Sequence, residues 1–210
     1  VHQDKITLTY PGYDTERFNT KLKERENKRV KEKYKISENY ILFLSTLKPS
    51  KNIEGLLEAF SQMTGSDPVK LVIVGKKGWM YETIFKKVRN LGIEDRVIFT
   101  DFIPEEDVPS LMTGAKVFVL PSFWEGFGIP VVEAMACGVP VVVSRAGSLS
   151  EIVGEAGIIV DPYKPEDIAQ GIGQALEQED ELKSRGLEQV KKFSWENCAR
   201  KTLAVLEGVK

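Results

Sequence analysis

The sequence predicts an α/β protein with a doubly wound, mostly parallel sheet of six strands and helices on both faces. Two observations predict this class. Short apolar runs alternate with segments of helical period, and the runs are apolar along almost their whole length. Such runs are typical of strands covered on both faces, and the alternation favours right-handed β-α-β units. The expected strands cover residues 40–44, 69–74, 97–100, 117–120, 139–143 and 157–160.

The helices between these strands follow from apolar residues spaced three and four positions apart. Residues 52–64 place Ile53, Leu56 and Phe60 on one face, and Gly92 is positioned to end the helix at 80–91. Further helices are expected after Pro104 and over residues 130–137, 148–153, 165–176, 179–191 and 195–206. Ser194 is the expected N-cap of the last one.

The amino-terminal part differs from this regular alternation. The run Lys5–Tyr10 is predicted to be the end of a strand, and residues 21–35, rich in Lys and Arg, are predicted to form a solvated surface helix. We therefore divide the chain into an inter-domain connector with its leading helix, residues 1–36, and a Rossmann-like domain, residues 37–210. Because the chain does not open on Met, we expect a domain cut from a longer protein.

Composition limits the partners. The 210 residues carry a formal net charge of −2, so nothing points to nucleic acid. No apolar run approaches the roughly 20 residues that span a bilayer, although peripheral membrane contact of a full-length protein stays open. Cys137 and Cys198 do not form a disulfide framework, which favours a cytoplasmic setting. The only histidine, His2, excludes a histidine-based triad and a multi-histidine metal site within the chain.

The stretch that the rest of the chain supports runs from Phe118 to Ser144. A strand leads into the loop PSFWEGFG and then into a short helix, a place suited to holding an anion. Gly126 and Gly128 form a Gly-x-Gly pattern. It is a weak nicotinamide signal, because Val131 stands where a third small residue belongs and the loop follows the fourth strand.

Three charged residues near this loop are candidates for chemistry. Lys51 follows the first sheet strand just before a helix, where a cation suits a diphosphate. Glu125 lies in the loop and Glu133 in the first turns of the helix. From the residues alone, each carboxylate could equally be structural, and the two together could be a hydrolytic acid/base pair. Lys51 could be an ordinary surface lysine.

Together these pieces resemble the carboxyl-terminal half of glycosyltransferase family 4, retaining nucleotide-sugar enzymes of the GT-B fold. The resemblance covers nearly the whole chain. It rests on four runs: YPGYDTERF, FLSTLKPSKNIEGLLEAF, PSFWEGFGIPVVEAMACGVPVVVS and GSLSEIVGEAGIIVDPYKPEDIA. The Glu-x7-Glu spacing by itself is loose, but embedded between two strands in this context it is strongly specific.

The resemblance implies a role for each position. Glu133 would bind the ribose hydroxyls, Glu125 with the backbone of residues 126–128 would hold the donor sugar, and Lys51 would neutralise the departing diphosphate. The loops at Gly75–Lys76 and Phe102–Ile103 would line the base. The full expected donor site comprises Thr46, Lys51, Gly75, Lys76, Phe102, Ile103, Glu125, Gly126, Phe127, Gly128, Ile129 and Glu133, with Lys51 and Glu125 as the catalytic pair. The implied co-substrate is a UDP- or GDP-sugar, with no metal and no other cofactor.

The sequence departs from the family pattern in two ways. Thr46 stands where many members carry Arg, which leaves Lys51 as the main phosphate cation. The chain also holds only the donor half, so the saccharide or lipid-linked acceptor would bind a missing amino-terminal domain, and this chain alone is expected to transfer nothing. Two other readings stay open: a nucleotide-sugar epimerase or phosphorylase on the same fold, and a non-catalytic nucleotide-binding module.

Overall fold

The computed structural model describes residues 2, 5–21, 24–36, 39–63 and 69–208. Six strands form a single sheet in this part of the chain, each built from the short apolar runs expected of buried strands. Their bounds are β1 Asn39–Leu44, β2 Val69–Val74, β3 Val97–Asp101, β4 Val117–Leu120, β5 Val141–Ser144 and β6 Ile158–Val160.

Nine α-helices are described around the sheet, with single 3₁₀ turns at several of their ends. The helices are α1 Glu24–Lys33, α2 Ile53–Gln62, α3 Glu82–Leu91, α4 Val108–Thr113, α5 Ile129–Ala136, α6 Leu149–Val153, α7 Pro165–Glu177, α8 Glu179–Gln189 and α9 Trp195–Gly208. Helices α2, α3 and α7 pack together, and α1, α4, α5 and α8 form a second contacting series. The sheet therefore lies between two helical layers.

The sheet is parallel throughout, in the order β3-β2-β1-β4-β5-β6. The two central strands are β1 and β4: Ile41 of β1 lies between Leu71 of β2 and Val117 of β4. Strand order reverses between β1 and β4, which makes this the switch point where α/β sheets bind ligands at the carboxyl ends of their strands. The predicted fold class, a doubly wound Rossmann-like sheet, is confirmed.

The core occupies both faces of the sheet. Tyr40, Phe43 and Phe118 are among the largest fully buried side chains, and Leu56 and Phe60 bury the predicted face of α2. Burying aliphatic and aromatic side chains of this size stabilises by about 1.5–3 kcal/mol each. This rigid layer holds the loops at the carboxyl edge of the sheet.

The amino-terminal strand prediction was wrong. Lys5–Tyr10 pairs with no strand among the described residues, and Ile6 and Leu8 are exposed, so the apolar run lacks the partner that a strand requires.

Residues 22, 23 and 64, which the predicted helices included, lie outside the described residues. The helix expected at 195–206 is present as α9, with Ser194 Oγ accepting from Asn197 N at 3.0 Å, but it buries none of its residues.

The connector and α1 pack firmly on the domain. The buried Asp107 carboxylate accepts hydrogen bonds from Arg29, Lys33 and Tyr34, three side chains of α1 and the turn that follows it. Burial favours a raised pKa for Asp107, but these three bonds outweigh it and the pKa is lowered. The boundary between connector and domain at residue 36 stays a prediction. No helix in the described ranges is long and apolar enough to cross a bilayer.

Candidate donor-binding site

Asn52 fixes the loop that follows β1. A 3₁₀ turn, Pro49–Lys51, ends in Asn52, whose backbone is left-handed with φ of 54°. The buried Asn52 side chain donates hydrogen bonds to the carbonyl oxygens of Pro121, at 3.1 Å, and Pro162, at 2.6 Å. One side chain therefore joins the loops that follow β1, β4 and β6, and it sets the position of the neighbouring Lys51.

Lys51 and Glu125 form an ion pair at the switch point. Lys51 Nζ donates to Glu125 Oε1, and Ser122 Oγ donates to the same oxygen at 3.0 Å. The two charged side chains are only 12% and 13% exposed, so solvent screens their attraction weakly. Ser144 of β5 in turn donates to the carbonyl oxygen of Ser122, which braces the loop from the neighbouring strand.

The glycine loop is held by the segment after β5. Ser148 Oγ donates to the Gly126 carbonyl oxygen at 2.8 Å, and Ser148 N donates to the Glu125 carbonyl oxygen at 3.4 Å. Gly147 permits this approach, because a Cβ there would lie 2.2 Å from the Glu125 carbonyl oxygen. Gly128, with φ of 89°, precedes the first residue of α5, Ile129. In the first turn of α5, Pro130 has no N–H and Val131 N donates to the Gly128 carbonyl oxygen at 2.9 Å, so the Ile129 N–H is the one of these three left for a ligand.

Phe127 points its side chain away from the ion pair. Its ring packs against Tyr10 and Phe193, with ring centroids 6.0 and 5.7 Å apart, and Tyr10 also donates a hydrogen bond to Glu151. The ring of Phe127 is thereby engaged within the protein, and a role of its backbone in holding a donor sugar stays a prediction. Its side chain anchors the loop to the connector and to the segment before α9.

Glu133 lies one turn along α5 and is half-buried. Burial raises the pKa of its carboxyl to about 7; Arg17 opposes the rise, while Asp14 and Glu105 add to it. No hydrogen bond reaches this carboxylate from the residues that the structure describes. The carboxylate oxygens are therefore available to hydrogen-bond donors of a ligand, such as hydroxyl groups, in partly desolvated surroundings.

Backbone hydrogen bonds connect the loops that follow β1, β2 and β3. Leu47 N donates to the Lys76 carbonyl oxygen at 2.9 Å, and Gly75 N donates to the Asp101 carbonyl oxygen at 3.1 Å. A Cβ on Gly75 would lie 1.8 Å from the Ser45 carbonyl oxygen, so only glycine fits there. Lys76 Nζ sits 4.5 Å from the ring centroid of the exposed Phe102, which places these two predicted residues side by side.

The structure brings the predicted residues into two groups. Lys51 and Glu125 form the ion pair, and Gly126, Gly128 and Ile129 follow Glu125 in the same loop and helix start. Thr46, Gly75, Lys76 and Phe102 lie on the loops after β1, β2 and β3, where the next residue, Ile103, is buried. Glu133 joins neither group by a hydrogen bond between described residues.

Asn52, Ser122 and Ser148 were not singled out from the sequence, although each is a polar residue in a loop that follows a strand, where sheets of this kind bind ligands. Arg17, whose effect on Glu133 depends on how the connector folds back, was not singled out either. Among the described residues, no cluster of His, Cys, Asp and Glu could hold a metal ion.

The fold and the loop architecture define the class first: a doubly wound α/β domain of the kind found in GT-B glycosyltransferases. A glycosyltransferase from Rickettsia africae superposes with a TM-score of 0.91 at 20% identity, over 99% of this chain and 58% of that one. Anabaena HepE, solved with UDP and glucose, superposes with a TM-score of 0.87 at 23% identity, over 97% of this chain and 57% of that one. At these identities the likeness concerns the fold.

The family follows from the sequence match. Residues 24–193 match the model of glycosyl transferases group 1, and the chain belongs to that family. A solved C-terminal domain of a group 1 protein from Francisella tularensis, 25% identical, has a TM-score of 0.75 over 86% of this chain and 97% of that one.

The curated relatives include several mannosyltransferases by name. The O-antigen chain mannosyltransferase B of Escherichia coli is 39% identical over 181 residues, which cover 83% of this chain and 47% of that protein. The MMP alpha-(1->4)-mannosyltransferase of Mycolicibacterium hassiacum is 34% identical over 166 residues, covering 76% of this chain and 40% of that protein. The chain thus spans less than half the length of these relatives.

Proposed function

We propose that this chain is the donor-binding domain of a retaining glycosyltransferase of family 4. In the full protein it transfers a hexosyl group from a UDP- or GDP-sugar to a saccharide or lipid-linked acceptor. The observation that carries the proposal is the Lys51–Glu125 pair at the switch point, in the loop that leads through Gly128 into α5. The names of the curated relatives favour a mannosyl group, and the UDP and glucose bound to HepE support a nucleotide-sugar.

Each part of the site fits one part of the donor. The ammonium of Lys51 and the start of α5 face where a diphosphate gains charge as it leaves, so neither needs to reorganise during the reaction. Glu125 accepts hydrogen bonds from sugar hydroxyls, and Glu133 accepts them from the ribose diol. The loops after β2 and β3, with Gly75, Lys76 and Phe102, lie against the base, and Thr46, in the loop after β1, borders the phosphates. No metal is required, because cation and helix start share the charge.

The configuration of the anomeric carbon is retained if the old bond breaks and the new bond forms on the same face of the sugar. The bond from the anomeric carbon to the diphosphate oxygen breaks, and the acceptor oxygen forms its bond to the same carbon. The acceptor proton goes to the departing phosphate, so no protein nucleophile is needed. Glu125 is already paired with Lys51 and bonded by Ser122, which suits a group that binds hydroxyls better than one that attacks carbon. The acceptor binds a second domain, and this chain alone binds donor without transferring it.

Nucleotide-sugar titration of the isotope-labelled 210-residue chain tests the site. With UDP-glucose and GDP-mannose as probes, we expect amide NMR shifts concentrated at residues 126–133 and at Lys51, and Glu133→Ala should weaken them. Glu155→Ala, an exposed loop position away from the site, is the matched control. Absence of shifts with either probe at about millimolar concentration, or unchanged binding by Glu133→Ala, would overturn the assignment.

A further inference from the structure

Tyr10 of the connector packs on the ring of Phe127 in the glycine loop, residues 125–128. The centroids of these two rings lie 6.0 Å apart. Phe193, from the segment before α9, completes the cluster with centroids 5.6 Å from Tyr10 and 5.7 Å from Phe127, and it meets both rings nearly edge-on, at 73° and 83°. Aromatic rings in this arrangement attract one another beyond the area that they bury. Because Phe193 is buried in the core, the side chain of Phe127 is held from two sides.

The backbone beside Tyr10 is fixed independently of the glycine loop. A Cβ on Gly12 would lie 2.1 Å from Trp195 N and 2.6 Å from the Ser194 carbonyl carbon, so the connector and the start of α9 meet main chain to main chain. Gly12 is buried, and only a residue without a side chain permits this approach. Tyr10, two residues earlier, is therefore held in place by a contact that does not involve the loop on which it packs.

The hydroxyl group of Tyr10 reaches helix α6, where it donates a hydrogen bond to Glu151 Oε1. The residue before this helix holds the glycine loop, since Ser148 Oγ donates to the Gly126 carbonyl oxygen at 2.8 Å. One tyrosine therefore contacts both the loop, through the ring of Phe127, and the helix that braces the loop, through its hydroxyl group. These contacts close a ring of interactions around the glycine loop.

Helix α6 is itself fixed to the domain. Its apolar residues are all fully buried: Leu149, Ile152 and Val153. Gln189 Nε2, from the end of α8, donates to the Ile152 carbonyl oxygen at 2.7 Å. The chain continues from Gln189 to Phe193 within one short turn, so the same segment supports α6 and the aromatic cluster. The glycine loop thus lies between two anchored supports, and Tyr10 joins them.

We propose that Tyr10 is a positioning residue for the sugar end of the donor, holding the glycine loop against α6 through the ring of Phe127 and the bond to Glu151. This inference rests on the proposed function, which assigns the sugar to Glu125 and to the backbone of residues 126–128. A loop that already has its binding conformation loses less conformational entropy when the sugar arrives. The base and most of the phosphate contacts belong to the loops after β1, β2 and β3, outside this arrangement.

A loosened glycine loop should weaken binding of a nucleotide-sugar more than binding of the bare nucleotide. Tyr10→Phe keeps the ring and removes the hydroxyl group, whereas Tyr10→Leu removes the ring as well. If the freed loop keeps its binding conformation for about a third of the time, the apparent affinity that depends on it falls about threefold. We expect about that loss for Tyr10→Phe and about tenfold for Tyr10→Leu, with the affinity for the nucleotide lowered by less than about twofold.

Calorimetric titration of the 210-residue chain measures these affinities, with UDP against UDP-glucose and GDP against GDP-mannose as probes. The readout is the ratio of the two affinities within the pair that the wild type binds. Tyr34→Phe is the matched control and should leave the ratio unchanged, because Tyr34 also donates its hydroxyl group to a carboxylate, Asp107 Oδ2 at 2.7 Å, but it lies beside α1. Glu151→Ala removes the Tyr10 bond from the other side, so combining it with Tyr10→Phe should cause no further loss.

NMR relaxation tests the same loop without a ligand. In the free wild type the amides of Gly126 and Gly128 should have order parameters of about 0.85, typical of a rigid backbone. In Tyr10→Leu they should fall below about 0.6, the range of a flexible segment. Unchanged order parameters in this variant would show that Ser148 and its neighbours hold the loop without Tyr10, and the inference would be wrong.

The outcomes separate this inference from the proposed function. If the wild type binds none of the four probes, the proposed donor site fails and the role of Tyr10 with it. If the wild type binds a nucleotide-sugar more tightly than its nucleotide and the Tyr10 variants keep that ratio, the donor site stands and the role of Tyr10 is refuted. Equal losses of both affinities, with a lowered melting temperature, refute it too, because Tyr10 would then only stabilise the fold. Tyr10→Phe decides the question where Tyr10→Leu does not fold.

Discussion

Replacing Glu133 with Gln should stabilise the free protein while weakening donor binding. The carboxyl is half-buried and accepts no hydrogen bond from the described residues, and burial raises its pKa from 4.5 to about 7. Because the folded state holds this proton more tightly than the unfolded chain, stability contributed by the neutral acid is present below pH 4.5. It is lost as the pH rises to about 7, where the carboxylate must be buried as a charge.

The size of the effect follows from the same two values. The interval from 4.5 to about 7, at about 1.4 kcal/mol for each pH unit, gives about 3 kcal/mol as the largest cost of the charged form. Glu133 is half-buried, so relaxation and solvent reduce the cost, and we expect a gain of about 2 kcal/mol for Glu133→Gln above pH 7. Near pH 4.5 the variant and the wild type should be almost equally stable, since both side chains are neutral in the folded state.

Urea unfolding followed by circular dichroism at a series of pH values measures this difference. Glu155→Gln, on an exposed loop, is the matched control and should show no pH-dependent gain. A stability difference that is the same at pH 4.5 and pH 8 would refute the reasoning, because a packing effect of the amide would not follow the titration. If Glu133→Gln were less stable than the wild type at pH 8, the reasoning would be refuted more directly.

Three further predictions test other parts of the site. Glu125→Gln removes the charged partner of Lys51, so calorimetry should show that the variant binds UDP severalfold more tightly than the wild type. The variant should no longer bind UDP-glucose more tightly than UDP. Weaker binding of UDP by the variant would contradict this prediction. Gly147→Ala places a Cβ 2.2 Å from a loop carbonyl and should cost about 1–3 kcal/mol in urea unfolding, whereas Gly173→Ala, in open space on α7, should be neutral or stabilising. Asp107→Asn should destabilise by about 1–2 kcal/mol and speed amide exchange in α1; unchanged exchange would show that α1 is held by packing alone.

Sequence patterning predicted the sheet well, because buried parallel strands are marked by apolar runs that few other elements share. Val69–Val74 and Val117–Leu120 begin and end where predicted. The run Lys5–Tyr10 has a similar pattern but no partner strand, and strand formation depends on a partner that local sequence does not reveal. Helix α9, which buries none of its residues, is a second example. The spacing of its apolar residues predicts a helix but does not reveal whether another element covers them.

The site was harder to predict than the fold, because its polar contacts join segments far apart in sequence. Glu125 and Lys51 could be chosen as separate candidates, yet their pairing depends on how Asn52 holds two other loops. Burial within the folded protein raises the pKa of Glu133, and Arg17, which is 116 positions away in the chain, opposes that rise. Spacing within a motif reveals neither the ion pair nor this burial, because both depend on how distant segments fold together.

The Lys51–Glu125 pair has a consequence for how a donor would bind. In the free protein each charge fixes the other, so both side chains are held near their working positions and less rotamer entropy is lost when a ligand arrives. The same pairing reduces the attraction of Lys51 for a diphosphate alone. A nucleotide-sugar offers both halves of the pair a partner, phosphate oxygens for the ammonium and sugar hydroxyls for the carboxylate. A nucleoside diphosphate without its sugar satisfies only the cation and must compete with Glu125 for it. In the proposed donor complex, the pair would therefore favour the intact donor over the spent nucleotide, which would help the product leave after transfer.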